Sequence, residues 1–236
     1  MNLDFHGVDL INGNSYEAIR KFSDNQFDWA IIDPPYGING NSHRNNLSRN
    51  KLTLAKRYHN ALWDQKIPNT SFFKELFRVS KNQVIFGINY FLSNYNLKVG
   101  SGRIFWDKVN GSNNFSDGEI AYISSIVSTR ICRYMWNGMM QGKSVKEGHI
   151  VQGNKLLNEL RIHPTQKPVA LYSWILNEFT QKDDLILDTH LGSGSIAIAC
   201  YNLRRRFVGI EIDPVYFNDA LKRYKDHTSQ LQLPWQ

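Results

Sequence analysis

Residues 185–211 read LILDTHLGSGSIAIACYNLRRRFVGIE, and their pattern decides the fold. The apolar run 185–187 predicts a buried strand, and 207–210 predicts a second. Between them Gly192 and Gly194 mark a turn, and residues 195–203 carry helical spacing. Strand, glycine turn, helix and strand form the repeating unit of a parallel sheet. Glycines in such a turn let a ligand approach the backbone, while the helix N-terminus offers free N–H groups. Glu211 closes the second strand about 20 residues on, where an acid can bind a ribose diol. No Walker lysine follows the glycines, which disfavours a P-loop nucleotide hydrolase. A tight turn beside a solvent-facing glutamate is the plainer alternative.

The same alternation extends outward. Strands are expected at 29–32, 84–86 and 103–106, and helices at 168–180 and 214–224, both of which open with proline. Weaker helical patterns cover 71–79 and 90–95. The fold class is therefore α/β, with a mainly parallel twisted sheet and helices on both faces. At 236 residues, 42% hydrophobic and 21% charged, one large domain over 1–236 is expected, and disorder, collagen and coiled coil are excluded. No apolar run approaches the ~18 residues of a membrane span, and the first twenty residues are polar and mixed. Cys132 and Cys200 lack a CxxC partner, so neither a disulfide framework nor a metal site is suggested. A cytoplasmic protein with no membrane contact is the expectation.

The net charge of +7 is unevenly placed. Residues 37–66 carry Arg44, Arg49, Lys51, Lys56, Arg57 and Lys66 against Asp64, and read as a mobile basic loop. Residues 128–168 carry seven basic side chains against Glu147 and Glu159. Each segment is net +5, so the remainder is net −3. One basic run is usually a solvated face; two on an acidic scaffold point to a polyanion such as nucleic acid.

Directly after the 29–32 strand stands Asp33-Pro34-Pro35-Tyr36. In a parallel sheet, ligands bind at the carboxyl ends of strands. Two prolines donate no backbone hydrogen bond and hold the chain extended. The turn thus offers a carboxylate, prolyl carbonyls and an aromatic ring, which suits a planar base bearing an amino group. Such an amine is a poor nucleophile because its lone pair is delocalised into the ring. The Asp33 carboxylate and Pro34 carbonyl can hold both N–H bonds and draw the nitrogen toward a tetrahedral shape. Tyr36 can stack on the base, and a duplex must first release that base. A proline-rich strand exit with a core tyrosine is the alternative.

A third motif, HPTQKP at 163–168, precedes a helix and by itself reads as a proline-framed loop. The order DPPY, HPTQKP, then Asp188 with Gly192-Ser193-Gly194, then Gly209-Ile210-Glu211 resembles the β-class of S-adenosylmethionine-dependent DNA amino-methyltransferases. Supporting segments are Leu10–Gly13, Gly87–Phe91, Trp106-Asp107-Lys108 and Phe115–Glu119. The resemblance covers nearly the whole chain. It implies a Rossmann-like methyltransferase fold with a circularly permuted motif order, the catalytic half preceding the cofactor half. It implies that Asp33, Pro34, Pro35 and Tyr36 bind and orient the target base. It also implies that Gly192, Ser193 and Gly194 pass under the methionine part of the cofactor, Asp188 lies near its amino group, Lys167 near its carboxylate and Glu211 on its ribose. Asn14 and Ser15 fall near its adenine. The family usually writes Asp-Pro-Phe where this chain has Asp188-Thr189-His190, so His190 replaces a packing phenylalanine with a flat ring that is less apolar and can titrate. Asn14 stands for the usual aspartate, keeping an acceptor and losing a charge.

The segment 128–162 would be a small target-recognition insertion. Arg130, Arg133, Lys143 and Lys146 are expected to reach phosphates or guanine edges, Asn137 and Gln141 to read adenine, and Tyr134 and Trp136 to pack. The basic loop residues Arg44, Arg49, Lys51, Lys56 and Arg57 complete the expected DNA contacts. The resemblance favours methyl transfer to adenine N6, DPPY being more usual with adenine. Cytosine N4, RNA adenine and a catalytically inactive DNA-binding subunit stand as alternatives. A homodimer and a restriction endonuclease partner are consistent with the family.

Overall fold

The computed structural model describes residues 7–37, 67–92, 99–111, 116–137 and 139–230. The expected basic loop therefore lies outside the described residues, apart from Gly37. The strands are β1 (Val8–Asn12), β2 (Phe27–Ile32), β3 (Ser80–Phe86), β4 (Arg103–Asp107), β5 (Gly118–Ile123), β6 (Thr129–Arg133), β7 (Trp136–Asn137), β8 (Met140–Gln141), β9 (Leu185–Asp188) and β10 (Arg206–Glu211). The helices are α1 (Ser15–Ile19), α2 (Thr70–Val79), α3 (Ile88–Leu92), α4 (Val169–Phe179), α5 (Ser195–Asn202) and α6 (Pro214–Gln230).

Eight strands form one sheet in the order β1-β10-β9-β2-β3-β5-β4-β6. The pairs from β1 through β3 are parallel, whereas β5 runs antiparallel to both β3 and β4. This is an α/β architecture with a mainly parallel sheet and helices on both faces, as the sequence pattern predicts. Successive side chains on a strand point to opposite faces, and both faces here are apolar. On one face Trp29, Ile31, Val84, Phe86 and Ile186 pack against Leu171 and Ile175 of α4 and Ala197 of α5. On the other, Ala30, Ile32, Ile85 and Leu187 pack against Phe72, Phe73 and Leu76 of α2. Truncating a residue such as Leu76 to alanine would cost about 2–5 kcal/mol through the cavity left behind.

That two-sided burial is why β2, β3, β9 and β10 were readable as apolar runs. β6 is different. Three of its first residues face solvent, yet it pairs in parallel with β4 and closes the edge of the main sheet. The expected insertion thus contributes a strand to the scaffold, and its part outside the sheet begins near Tyr134. There β7 and β8 pair antiparallel, and Gly142 bridges Val151.

The connections place the site. From β2 the chain crosses by α2 to β3 on one side; from β9 it crosses by α5 to β10 on the other. The two helices lie on opposite faces, so a crevice opens where the order reverses, beyond the carboxyl ends of β2 and β9.

Candidate active site

Asp33 leaves β2 at that crevice, Asp188 ends β9 and Glu211 ends β10. With neighbouring strands roughly 5 Å apart, the three strand ends span on the order of 10 Å. The described chain therefore presents three carboxylates and a glycine turn along one edge.

Asp33 is held by side chains. Its Oδ1 accepts the Tyr36 hydroxyl at 2.6 Å, and its Oδ2 is paired with the Lys167 ammonium. Lys167 also lies 3.0 Å from Glu119 Oε2 on β5 and 3.4 Å from the Tyr36 hydroxyl. Its side chain is only 2% exposed, and the Phe86 ring lies 4.6 Å from the ammonium. Burial alone would lower the lysine, but Asp33 and Glu119 outweigh it and raise its proton affinity. Glu119 is half-buried, and against that burial Lys167 and Lys108 hold it down at about 2. Lys108 Nζ lies 2.5 Å from its Oε1. For Asp33, burial dominates and raises the carboxyl, with Lys167 offsetting that and Glu119 adding to it.

Tyr36 does not present a bare ring. It stacks on Tyr90 of α3 at 4.9 Å between centroids and 15° between planes. Gly87, at φ +67°, makes this approach feasible: a Cβ there would fall 2.2 Å from Tyr36 Cε1. The expected base-stacking surface is thus already in an aromatic pair, and Tyr90, 37% exposed, is its outer member.

The glycine turn is held by backbone. Gly194 caps α5 at φ +70°, a conformation that favours glycine. Glu211 is buried; its Oε2 accepts Gly192 N–H at 2.8 Å and its Oε1 accepts Asp213 N–H at 2.9 Å. Burial raises its carboxyl above the ordinary value, against those backbone bonds. Asp188 accepts His190 N–H at 2.9 Å, and burial pushes it up to about 8. Gly13 N–H and Asn12 Nδ2 both donate to Glu211 O at 2.8 Å, bringing the end of β1 alongside. Asn14 then caps α1, its side chain accepting Tyr16 N–H at 2.9 Å, with Ser15 buried behind it. Ser193 is buried, its hydroxyl 3.1 Å from that of Ser195.

One expectation changes here. His190 does not titrate near neutrality: burial lowers it to about 3, and its ring meets Phe72 edge-on at 5.5 Å. It is a neutral packing ring. Lys167, expected near a cofactor carboxylate, is engaged by Asp33 and Glu119.

The HPTQKP loop joins the insertion to the sheet. Trp136 Nε1 donates to Gln166 O at 2.8 Å, and Gln166 itself bonds Ile162 N and Leu160 O. Trp136 and Tyr134 are buried packing residues, as expected. Gln141 is not placed to read a base: it is buried and exchanges two hydrogen bonds with the backbone of Glu159. Asn137 Nδ2 donates to Asn110 O at 3.4 Å. Of the expected phosphate contacts, Arg130, Arg133, Lys143 and Lys146 are exposed, although Arg133 pairs with Asp107 and Lys143 with Glu147. Arg44, Arg49, Lys51, Lys56 and Arg57 lie outside the described residues.

Several participants were not anticipated. Glu159 caps α4 through Val169 N–H at 2.9 Å and pairs with Arg223 of α6 at 2.9 Å. Arg223 in turn donates to Ser193 O and Ser195 Oγ, so it ties the insertion to the glycine turn. Glu119 and Lys108 stood in recognised segments without a role; the antiparallel register Trp106↔Glu119 is what brings them together.

A family model described as DNA methylase, of the N6 and N4 type, matches residues 104–222. The chain belongs to this DNA methylase family. It is 27% identical to the type II methyltransferase M2.MboI of Moraxella bovis, over 97% of this chain and 92% of that one. Among solved structures it superposes on the M1.HpyAVI–SAM complex with a TM-score of 0.55 at 22% identity, covering 92% of this methylase and 99% of that chain. It also superposes on the cytosine-N4-specific PvuII DNA methyltransferase with a TM-score of 0.54 at 12% identity, covering 95% and 92%. The methylase's DPPY turn lies outside the segment that the family model matches but within the crevice that the fold defines.

Proposed function

We propose that this methylase transfers a methyl group from S-adenosylmethionine to the N6 amine of adenine in DNA. The observation that carries the reading is that Asp33 and the Gly192–Gly194 turn follow the carboxyl ends of the adjacent parallel strands β2 and β9. S-adenosylmethionine is the methyl donor, supplying an electrophilic carbon on a sulfonium when bound.

The residues suit that group. Asp188 is a buried carboxyl whose proton affinity is raised by burial and by the nearby carboxylates Asp33 and Glu211, and the cofactor's amino group is cationic. Glu211 keeps lone pairs after bonding Gly192 and Asp213, which leaves acceptors for a ribose diol. The α5 N-terminus and the glycine turn give backbone approach. Asn14, Ser15 and the neutral His190 ring line the cofactor's adenine and sulfonium sides in this reading.

Asp33 and the Pro34 carbonyl accept the two N–H bonds of the target amine. That holds the nitrogen in place and frees its lone pair for attack. Transfer is direct: burial pushes the Cys132 thiol up to about 12 and Cys200 well above its ordinary value, so neither serves as a nucleophile. The base enters by leaving its duplex, with Tyr36 and Tyr90 as its aromatic neighbours. Arg130, Lys143 and Lys146 contact phosphates, with the insertion 134–160 reading the site. The similarity to type II methyltransferases supports a restriction–modification setting.

The test is expression in a host lacking DNA methylation, followed by modification-sensitive sequencing. N6-methyladenine in a fixed sequence context is expected. N4-methylcytosine would change the base assignment, and methyl found only in RNA would remove DNA as the substrate.

A further inference from the structure

We propose that Glu119, braced by Lys108, is a positioning residue for methyl transfer: it shares the Lys167 ammonium with Asp33 and so keeps that carboxylate an effective acceptor for the target amine. The inference rests on the functional reading above and adds residues to it.

The geometry is a partly buried relay of alternating charge centred on the buried Lys167. Lys108, Glu119, Lys167 and Asp33 follow one another, with Lys108 at 2.5 Å and Lys167 at 3.0 Å from the two Glu119 oxygens and Lys167 in direct contact with Asp33. Two cations and two anions cancel, which makes their joint burial tolerable. The relay is built from separate pieces of the fold. Glu119 lies on β5 opposite Trp106 of β4, Lys108 follows β4 and donates its backbone N–H to Asp117 O at 2.9 Å, and Lys167 precedes α4.

Consider Asp33 without Glu119. Lys167 would be matched with it one to one, and a charge-assisted bond to an ammonium is stronger than one to a neutral amine. The incoming base would compete poorly. With Glu119 present, the ammonium has a second carboxylate to lean on, and Lys108 prevents Glu119 from taking it outright. Asp33 also faces Tyr36 of its own turn, Tyr172 of α4 and Asp188 of β9. Tyr36 and Tyr172 are neutral near pH 7, since burial and nearby carboxylates raise both. The adjustable charges around Asp33 are therefore Lys167, Glu119 and, through it, Lys108, together with Asp188.

The relay predicts effects of opposite sign. Removing the negative charge in E119Q lowers the proton affinity of Asp33, so the acid limb of kcat moves to lower pH and kcat at its plateau falls about tenfold, the equivalent of one pKa unit. Removing the positive charge in K108M moves the acid limb to higher pH. E119D, which keeps the charge, restores most of the plateau rate.

The experiment is single-turnover transfer of labelled methyl to duplex DNA by the full chain, across about pH 5–9, with cofactor affinity measured alongside. Opposite shifts of the acid limb in E119Q and K108M, with cofactor affinity near wild type, are expected. Shifts of the same sign, or an unmoved limb with an unchanged rate, overturn the proposal. If E119Q does not fold, K108M decides by itself: an unshifted or lowered limb overturns the role of the relay. Wild-type protein that binds S-adenosylmethionine and methylates no nucleic acid refutes the functional reading instead, and this inference falls with it.

Discussion

The glycine turn and the DPPY turn close neighbouring strands of one sheet, yet their carboxylates are held in different ways. Glu211 and Asp188 accept backbone N–H groups from Gly192, Asp213 and His190. Asp33 is held by the side chains of Tyr36 and Lys167. Backbone donors at a strand end are fixed once the sheet forms, whereas a lysine on a flexible stem can change partners. The cofactor end is thus preorganised for a ligand that is the same in every turnover. The catalytic end is an exchangeable ion-pair relay, suited to a base that arrives only after leaving a duplex.

The contrast breaks most sharply at Asp33. Asp33→Ala should lower methyl transfer by about 10²–10⁴-fold while cofactor affinity, by calorimetry, stays near wild type. Joint loss of both would show that the two ends are one site energetically. Glu211→Ala should do the reverse. It leaves two backbone N–H groups unpaired in the glycine turn, at a cost on the order of 1–3 kcal/mol. That cost should appear in cofactor affinity, with the rate at saturating cofactor largely kept.

Protons sharpen the comparison further. Asp188 sits at about 8 in the free protein, so at pH 7 it is mostly protonated. A cationic amino group favours its ionised form, so binding must release that proton. Cofactor Kd should therefore rise as pH falls below about 8, by up to about tenfold per pH unit. Calorimetry in buffers of different ionisation enthalpy should detect the released proton, and none would place Asp188 away from the cationic group. The smallest effect is expected at His190. Its ring is already neutral and held near about 3, so His190→Phe should change cofactor affinity by less than about 1.5 kcal/mol. No titration step belonging to His190 should appear between pH 6 and 7 in the wild-type protein.

What was legible in the sequence was local. The strands β2, β3, β4, β9 and β10 and the helices α2, α4, α5 and α6 fall where apolar spacing placed them, because burial on both faces leaves a continuous hydrophobic run. β5 and β6 gave weaker patterns: Gly118, Glu119 and Ile120 are half-buried or exposed, and β6 shows three solvent-facing residues in succession. β6 is an edge strand and need satisfy only one neighbour, so its composition carries little. The site followed the same division. Asp33, Glu211 and the glycines announced themselves by standing beside turn residues after strands. Glu119, Lys108, Tyr90, Glu159 and Arg223 carried no such marker, and Gln141 was misread because its burial depends on a backbone segment many residues away.

The sequence by itself determined the two chemical turns and the parallel core between them, since glycine, proline and apolar periodicity act within a few residues of the chain. Only the tertiary structure decided what surrounds Asp33. The reversal of β5 carries Glu119 to Lys167, and α3 lays Tyr90 on Tyr36. Those meetings depend on strand register and helix docking, which are set by packing across the whole sheet rather than by any residue's neighbours in sequence.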